Sequence, residues 1–181
     1  SRQDAITPIV EALNESNLFL LKNSGEINLN GSFSLNVLSV FDRDNWTSPS
    51  DLGKINIALY HGSISNSKTD LGWIMEYGED DLSIFQDHDY SFLGDIHKTQ
   101  NLDKEGRIWY AGSTVQQNFG ESLDKGYLLW DIESKDDFTN RLITFNNPKP
   151  FITLALSEKG NLPRQKPPEG ARLRIVSESN V

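Results

Sequence analysis

The fold prediction starts from residues 55–60, which read INIALY and run directly into His61. A short apolar segment of this composition is typical of a buried β-strand. The pattern recurs at residues 90–93, YSFL, which run into the tetrapeptide GDIH at residues 94–97. Proteins of the α/β class place reactive side chains at the carboxyl ends of such strands. Both strand ends are therefore candidate functional positions.

Further elements are predicted on either side of this pair. Residues 4–14 carry apolar side chains at the spacing of an amphipathic helix. Apolar runs or alternating patterns predict additional strands at residues 18–21, 33–41, 107–111, 127–132 and 141–145. Strands mixed with a helix and with long polar connections predict an α/β fold.

The composition changes at residue 147, where prolines become frequent. Short extended segments follow at residues 151–156 and 171–176. We therefore predict a first domain over residues 1–146. Residues 147–181 are predicted to form a linker and the start of a second domain.

The chain is acidic and contains no cysteine. Its 181 residues include 17 Lys and Arg against 26 Asp and Glu, which gives a formal charge of −9. This charge argues against nucleic-acid binding driven by bulk charge alone. The lack of cysteine excludes disulfides, thiolate zinc sites and cysteine nucleophiles, so a metal would need His, Asp, Glu or Asn ligands. No apolar run approaches the length of about 20 residues that a membrane-spanning helix needs.

Two histidines mark the candidate chemistry. His61 and His97 each follow a predicted strand, and Asp95 lies two positions before His97. In extended geometry, positions i and i+2 project to the same side. An Asp-x-His pair can supply mixed oxygen and nitrogen ligands to a metal, but the spacing also fits a structural pair in which Asp95 caps the turn. His88, with an aspartate on either side, is interpreted as a surface residue.

Six segments carry a resemblance to a known family. They are ALYHG at 58–62, DYSFLGDIHKTQ at 89–100, YAGSTVQQNFGE at 110–121, KGYLLWDI at 125–132, NPKPF at 147–151 and ARLRIV at 171–176. In this order they resemble the calcineurin-like metallophosphoesterases, and among these the DNA double-strand-break repair nucleases of the SbcCD exonuclease type. The resemblance extends over nearly the whole chain.

The resemblance implies a two-metal phosphodiesterase. Two divalent ions, usually manganese or else magnesium, would bind a phosphate and activate a water molecule for in-line attack. It implies His61, Asp95 and His97 as metal ligands, with Asp95 where the family normally has histidine. A carboxylate is a harder ligand than imidazole and favours manganese or magnesium over softer metals. The implied fold is a partial four-layer αββα sandwich, two mixed sheets between helices, followed by the start of a capping domain.

The resemblance also implies a biological setting. It predicts an exonuclease or endonuclease that hydrolyses DNA in repair or recombination, with a coiled-coil ABC-type ATPase as partner and a homodimer at full length. It predicts no membrane and a location in the cytoplasm, or in the nucleus of a eukaryote. The family's amino-terminal motifs Asp-x-His, Gly-Asp-x-x-Asp and Gly-Asn-His-Asp, the last with the catalytic histidine, do not precede these segments. We therefore expect a fragment that holds about half of a metal site and is inactive alone.

The loop at residues 112–121 is the predicted nucleic-acid contact, because in the family it lies beside the site. The candidates for phosphate or sugar contacts are Ser113, Gln116, Gln117 and Asn118. The alternative is a polar loop that is packed by Phe119 and contacts no ligand.

Two other functions fit the same residues. A small-molecule phosphodiesterase or phosphatase would keep the metal site, whereas a non-catalytic docking remnant would fit the presence of Asp95 and the acidic surface. Three outcomes distinguish these functions. Cleavage of linear double-stranded DNA indicates the nuclease, and cleavage of a small chromogenic phosphodiester but not of DNA indicates the small-molecule enzyme. Cleavage of neither substrate indicates the docking remnant.

Overall fold

The computed structural model describes residues 6–177, whose regular secondary structure consists mostly of β-strands. The one α-helix among them is α1 (Thr7–Leu13), and the strands are β1 (Gly25–Asn28), β2 (Phe33–Leu38), β3 (Ile55–His61), β4 (Tyr90–Gly94), β5 (Gln100–Asn101), β6 (Ile108–Tyr110), β7 (Gly126–Ile132), β8 (Phe138–Thr144), β9 (Phe151–Ala155) and β10 (Arg172–Val176). Two short 3₁₀ helices lie at Arg43–Asn45 and Leu82–Phe85.

A six-stranded sheet with the order β1-β2-β3-β4-β6-β5 forms the centre of the molecule. The four strands β2, β3, β4 and β6 run parallel, while β1 and β5 pair antiparallel at the two edges. His61, the last residue of β3, pairs with Gly94, the last residue of β4. The carboxyl ends of these two neighbouring strands therefore meet at the same end of the sheet.

One face of the sheet packs against the antiparallel pair β7–β8. Ile57 and Tyr90 are buried in this layer. The Tyr90 ring stands edge-on to Trp130 and Phe138, with ring centroids 5.8 and 5.0 Å away. Aromatic pairs of this kind contribute about 0.5–1.5 kcal/mol beyond the burial of their area. The Tyr90 hydroxyl also donates to the Ser134 carbonyl at 2.8 Å, so the ring fixes the hairpin to the sheet.

The opposite face is covered by the long connections between the strands. Ile64 and Tyr110 lie at the centre of this second cluster. The Tyr110 hydroxyl donates to the Gly62 carbonyl at 2.7 Å and accepts from the Ile64 N–H at 2.9 Å. These two bonds fix the chain directly after His61, so the last residue of β3 has a defined position.

The predicted α/β fold, a four-layer αββα sandwich, is wrong. Residues 6–177 contain a single seven-residue α-helix, and no helical layers cover the sheets of this part of the chain. The connections from β2 to β3 and from β3 to β4 contain 3₁₀ turns, although parallel strands are usually joined by an α-helix. Both connections are rich in Gly, Asp, Asn and Ser, whose side chains and backbone freedom favour turns.

Individual elements agree better with the sequence than the fold class does. The strands predicted at 33–41, 55–60, 90–93, 107–111 and 127–132 are confirmed as β2, β3, β4, β6 and β7. The strand predicted at 18–21 is wrong, because these residues form no strand and are exposed. Helix α1 lies within the predicted helix at 4–14, whose first two positions fall outside the described residues. Beyond residue 147, β9 and β10 form a separate parallel pair, and the division into residues 1–146 and 147–181 stays a prediction.

Exposed apolar side chains in the amino-terminal segment predict self-association. Ile9, Leu13 and Phe19 are 59%, 55% and 77% exposed. Because monomeric proteins rarely expose many large apolar groups together, we expect sedimentation velocity to detect species larger than a monomer that grow with concentration. Combined Ile9→Ser and Phe19→Ser substitutions should reduce these species more than Tyr77→Ser, which removes an exposed ring elsewhere. A monomer at every concentration would contradict this prediction.

Candidate functional site

His61 ends β3 and lies against Gly94. A Cβ atom added at Gly94 would be only 2.5 Å from Nδ1 of His61. Only glycine therefore lets the imidazole occupy this position at the end of β4. His61 is exposed, so its ring is accessible from solvent.

Asp95 follows β4 with a backbone conformation that is unusual for a residue with a side chain. Its φ is 98°, in the left-handed region, which aspartate adopts more readily than most residues. Asp95 is exposed, Ile96 is buried in the core beneath it, and His97 is half-buried. The buried Ile96 thus anchors a turn that carries Asp95 and His97 on its open side. Backbone strain of this kind is concentrated at functional positions in proteins.

His97 is held by a carboxylate that the sequence reasoning missed. Its Nδ1 lies 3.0 Å from Oε1 of Glu121, whose side chain is only 7% exposed. Glu121 also accepts from the Gln117 backbone N–H at 3.0 Å and from Nδ2 of Asn118 at 3.1 Å. The ammonium of Lys125 lies 3.3 Å from its second oxygen. Four donors therefore surround one carboxylate.

The charge state of Glu121 follows from these contacts. Burial alone would raise the pKa of Glu121, but the hydrogen bonds from His97 and Gln117 and the charge of Lys125 outweigh burial and lower it. The carboxylate is consequently ionised at neutral pH.

Lys125 is a buried cation that joins three segments of the site. The residue is 2% exposed, and its ammonium lies 2.9 Å from Oδ2 of Asp70, whose side chain is 7% exposed. The same ammonium donates to the backbone carbonyl of His97 at 2.8 Å. Because buried charges are stable only when paired, Lys125 holds Asp70, Glu121 and the turn after β4 in one arrangement.

These segments enclose a cleft of about 240 Å³. Its walls are formed by Thr69, Asp70, Leu71, Asp95, Ile96, His97, Asn118, Gly120 and Glu121. Asp95 and His97 thus both line one cleft, although they lie on a turn and not on the extended segment from which a shared side was expected. His61 lies at the neighbouring strand end and does not line this cleft.

The donor types suit a divalent metal ion, but their arrangement does not. Imidazole nitrogens and carboxylate oxygens are ligands for manganese, and carboxylates also for magnesium. Within residues 6–177, no group of three or more His, Asp or Glu residues is arranged to hold a metal ion. His61, Asp95 and His97 therefore do not form a metal centre by themselves in this part of the chain.

Gln116 differs from the other residues predicted to contact nucleic acid, because it is 5% exposed. Its Nε2 donates to the Glu121 carbonyl at 2.9 Å, and its Oε1 accepts from the Phe151 N–H at 3.0 Å. Nδ2 of Asn147 also donates to Oε1, at 3.3 Å. The amide of Gln116 thus joins the loop before β7 to the start of β9.

The remaining loop candidates are more accessible. Gln117 and Asn118 are exposed, and the side chain of Asn118 both lines the cleft and donates to Glu121. Ser113 is half-buried, and its hydroxyl donates to the Val115 carbonyl at 3.0 Å. Gln117 and Asn118 are therefore the better placed of the four to meet a ligand.

His88 was interpreted as a surface residue, but its imidazole nitrogens are buried, so this interpretation is wrong for the side chain. Both ring nitrogens are buried without a hydrogen-bond partner among the described residues, and this burial lowers the pKa of the imidazole. His88 lies two residues before the start of β4, at the opposite end of that strand from Asp95, and does not line the cleft.

The most informative missed residues are Glu121, Lys125 and Asp70. Glu121 is the last residue of one segment that carries the family resemblance, and Lys125 is the first residue of the next. Their position in these segments, four residues apart, was the available signal. Asp70 lies in a polar loop with no local pattern. Its role arises from tertiary contacts with Lys125 and with the backbone N–H of Ser122.

Comparison with known proteins found a similarity to a viral protein, and no family model matches the chain. The chain is similar to a protein of Acanthamoeba polyphaga mimivirus named "Uncharacterized protein R555", with 33% identity over 191 residues. The alignment includes 99% of this chain but only 14% of the length of the viral protein. Neither finding assigns an activity.

Within residues 6–177, no helix combines the length and the apolar character needed to cross a membrane.

Proposed function

We propose that this chain supplies His61, Asp95 and His97 to the divalent-metal site of a phosphodiesterase that acts on DNA. The observation that supports the proposal most strongly is the position of these residues at the carboxyl ends of β3 and β4. These two parallel strands are neighbours, and their last residues His61 and Gly94 are paired. Open parallel sheets bind ligands at this end of their strands.

The chain's own residues would each have a defined task. His61 and His97 would offer imidazole nitrogens and Asp95 a carboxylate oxygen, a donor set that suits manganese. When bound, divalent ions would polarise a phosphate and lower the pKa of a water molecule. Gln117 and Asn118, which are exposed on the adjacent loop, would contact phosphate or sugar groups.

The proposal requires further ligands. Three donors that form no complete metal group within residues 6–177 cannot hold two ions, so other polypeptide must complete the site. We therefore expect the 181-residue chain alone to cleave no DNA and to bind manganese weakly. The family resemblance extends the proposal to a coiled-coil ATPase partner and a homodimer at full length.

The test compares the 181-residue chain with the longest natural polypeptide that contains it. Only the longer protein should cleave linear double-stranded DNA, and cleavage should require manganese or magnesium. His97→Ala should reduce cleavage by at least about tenfold, because one ligand is lost. Asp131→Asn is the matched control, since Asp131 is exposed on β7 away from the cleft.

The other outcomes separate the alternatives. Cleavage of a small chromogenic phosphodiester without cleavage of DNA would replace the nuclease with a small-molecule phosphodiesterase. If the longer protein cleaves neither substrate, with or without an ATPase, the remaining function is that of a non-catalytic docking remnant.

A further inference from the structure

Within residues 6–177, every polar contact of the Glu121 carboxylate is with a nitrogen atom. Its Oε1 accepts a hydrogen bond from Nδ2 of Asn118 at 3.1 Å and lies 3.0 Å from Nδ1 of His97. Its Oε2 accepts a hydrogen bond from the backbone N–H of Gln117 at 3.0 Å and lies 3.3 Å from the ammonium of Lys125. An ionised carboxylate accepts at both oxygens and donates at neither, so it matches this environment completely.

The proton of the His97 ring follows from this arrangement. A neutral imidazole carries hydrogen on one nitrogen only, and a carboxylate oxygen at 3.0 Å from Nδ1 requires the hydrogen there. Nε2 is then unprotonated, so its lone pair is available to a metal ion or another ligand. Within residues 6–177, Nε2 makes no hydrogen bond. The side chain of His97 is 41% exposed, so the ring remains open to a ligand.

We infer that Glu121 is a positioning residue that fixes His97 as the Nδ1–H tautomer and directs Nε2 to the ligand side of the cleft. Carboxylates that hold a metal-binding histidine in this way tune its orientation and basicity. Lys125 supports the arrangement from both directions, because its ammonium contacts Glu121 and the backbone carbonyl of His97. The metal-binding consequence rests on the function proposed above, but the tautomer does not.

An isosteric amide distinguishes hydrogen bonding from simple packing. In the Glu121→Gln variant, only the amide oxygen can accept hydrogen bonds, because the second carboxylate oxygen is replaced by an NH₂ donor. The amide oxygen should turn to the ammonium of Lys125, since a charged donor makes the stronger hydrogen bond. The amide NH₂ would then face Nδ1 of His97, which must become an acceptor, and the ring proton would move to Nε2.

The test is long-range ¹H–¹⁵N NMR of the histidine rings in the 181-residue chain, without metal and at a pH where the rings are neutral. The wild type should show a protonated Nδ1 and an unprotonated Nε2 for His97. Glu121→Gln should reverse the two assignments, and Glu121→Ala should shift the population towards the Nε2–H form that a free histidine prefers. Asn118→Ala removes a different donor to the same oxygen and should leave the tautomer unchanged.

Each result decides the inference. An Nε2–H tautomer in the wild type, or an unchanged tautomer in a folded Glu121→Gln variant, would overturn it. Near-UV circular dichroism establishes that each variant is folded, and Glu121→Ala provides a second test if the amide variant is not. In the longer polypeptide, Glu121→Gln should weaken manganese binding about 10- to 100-fold. If that protein binds no metal while the tautomer reverses as expected, the proposed function fails and the positioning role stands.

Discussion

Replacing Lys125 with methionine is expected to lower the free energy of unfolding by about 3–5 kcal/mol. Lys125 is 2% exposed and is the cation shared by two carboxylates that are each 7% exposed, Asp70 and Glu121. Methionine fills a similar volume without charge. The variant would therefore leave two negative charges close together in a buried environment, and the His97 carbonyl would lose its donor.

Urea unfolding followed by fluorescence and circular dichroism measures this effect. Lys104→Met is the matched control, because Lys104 is exposed and makes no contact in the site. Combining Lys125→Met with Asp70→Asn should recover part of the loss, since one unpaired charge is then removed. A Lys125→Met variant as stable as the control would show that the buried pairing contributes nothing to folding.

Gly94→Ala is expected to reduce metal-dependent cleavage by the longer polypeptide about 100-fold, with little loss of stability. The added methyl group would lie 2.5 Å from Nδ1 of His61, so the ring must rotate away from the end of β4. His61 is exposed, and its side chain can move into solvent at a cost of about 1 kcal/mol. The displaced imidazole would no longer lie against Gly94 at the end of β4.

Cleavage rates and unfolding free energies should be measured on the same preparations. Gly31→Ala serves as the control, because a Cβ atom there meets nothing within 4 Å. NMR of the His61 ring in the 181-residue chain gives a readout that does not depend on activity, and its resonances should shift in Gly94→Ala only. Unchanged cleavage together with a displaced ring would remove His61 from the working site.

The strands were predictable from sequence because their side chains repeat along short, well-bounded segments. Residues 55–60 and 90–93 are apolar on both faces, as expected of strands covered on both sides, and both became central strands. Nothing local distinguishes the exposed run at 18–21 from these buried ones, since exposure depends on what the tertiary structure covers. Strand β8 begins at Phe138, ahead of the predicted 141–145, because its register is set by pairing with β7.

The fold class failed because it depended on how the parallel strands are connected. The resemblance implied helical layers, whereas the connections on either side of β3 are loops with short 3₁₀ turns. Only those site residues that follow a predicted strand could be predicted from the sequence. Asp95 and His97 line one cleft, but they do so on a turn and not in the extended geometry that the spacing argument assumed. Asp70 reaches the site through Lys125, and no sequence pattern predicts a contact of that kind.

The buried amide of Gln116 makes the cleft wall sensitive to events outside it. One side of this amide binds the carbonyl of Glu121 and the other binds the backbone of Phe151 at the start of β9. If a bound partner displaced β9, the Gln116 side chain and the Glu121 backbone would move with it. The Glu121 carboxylate would then change the position of the His97 imidazole, which it contacts at Nδ1. The strand pair after residue 147 is thus mechanically connected to the candidate ligands by three consecutive hydrogen-bonded contacts.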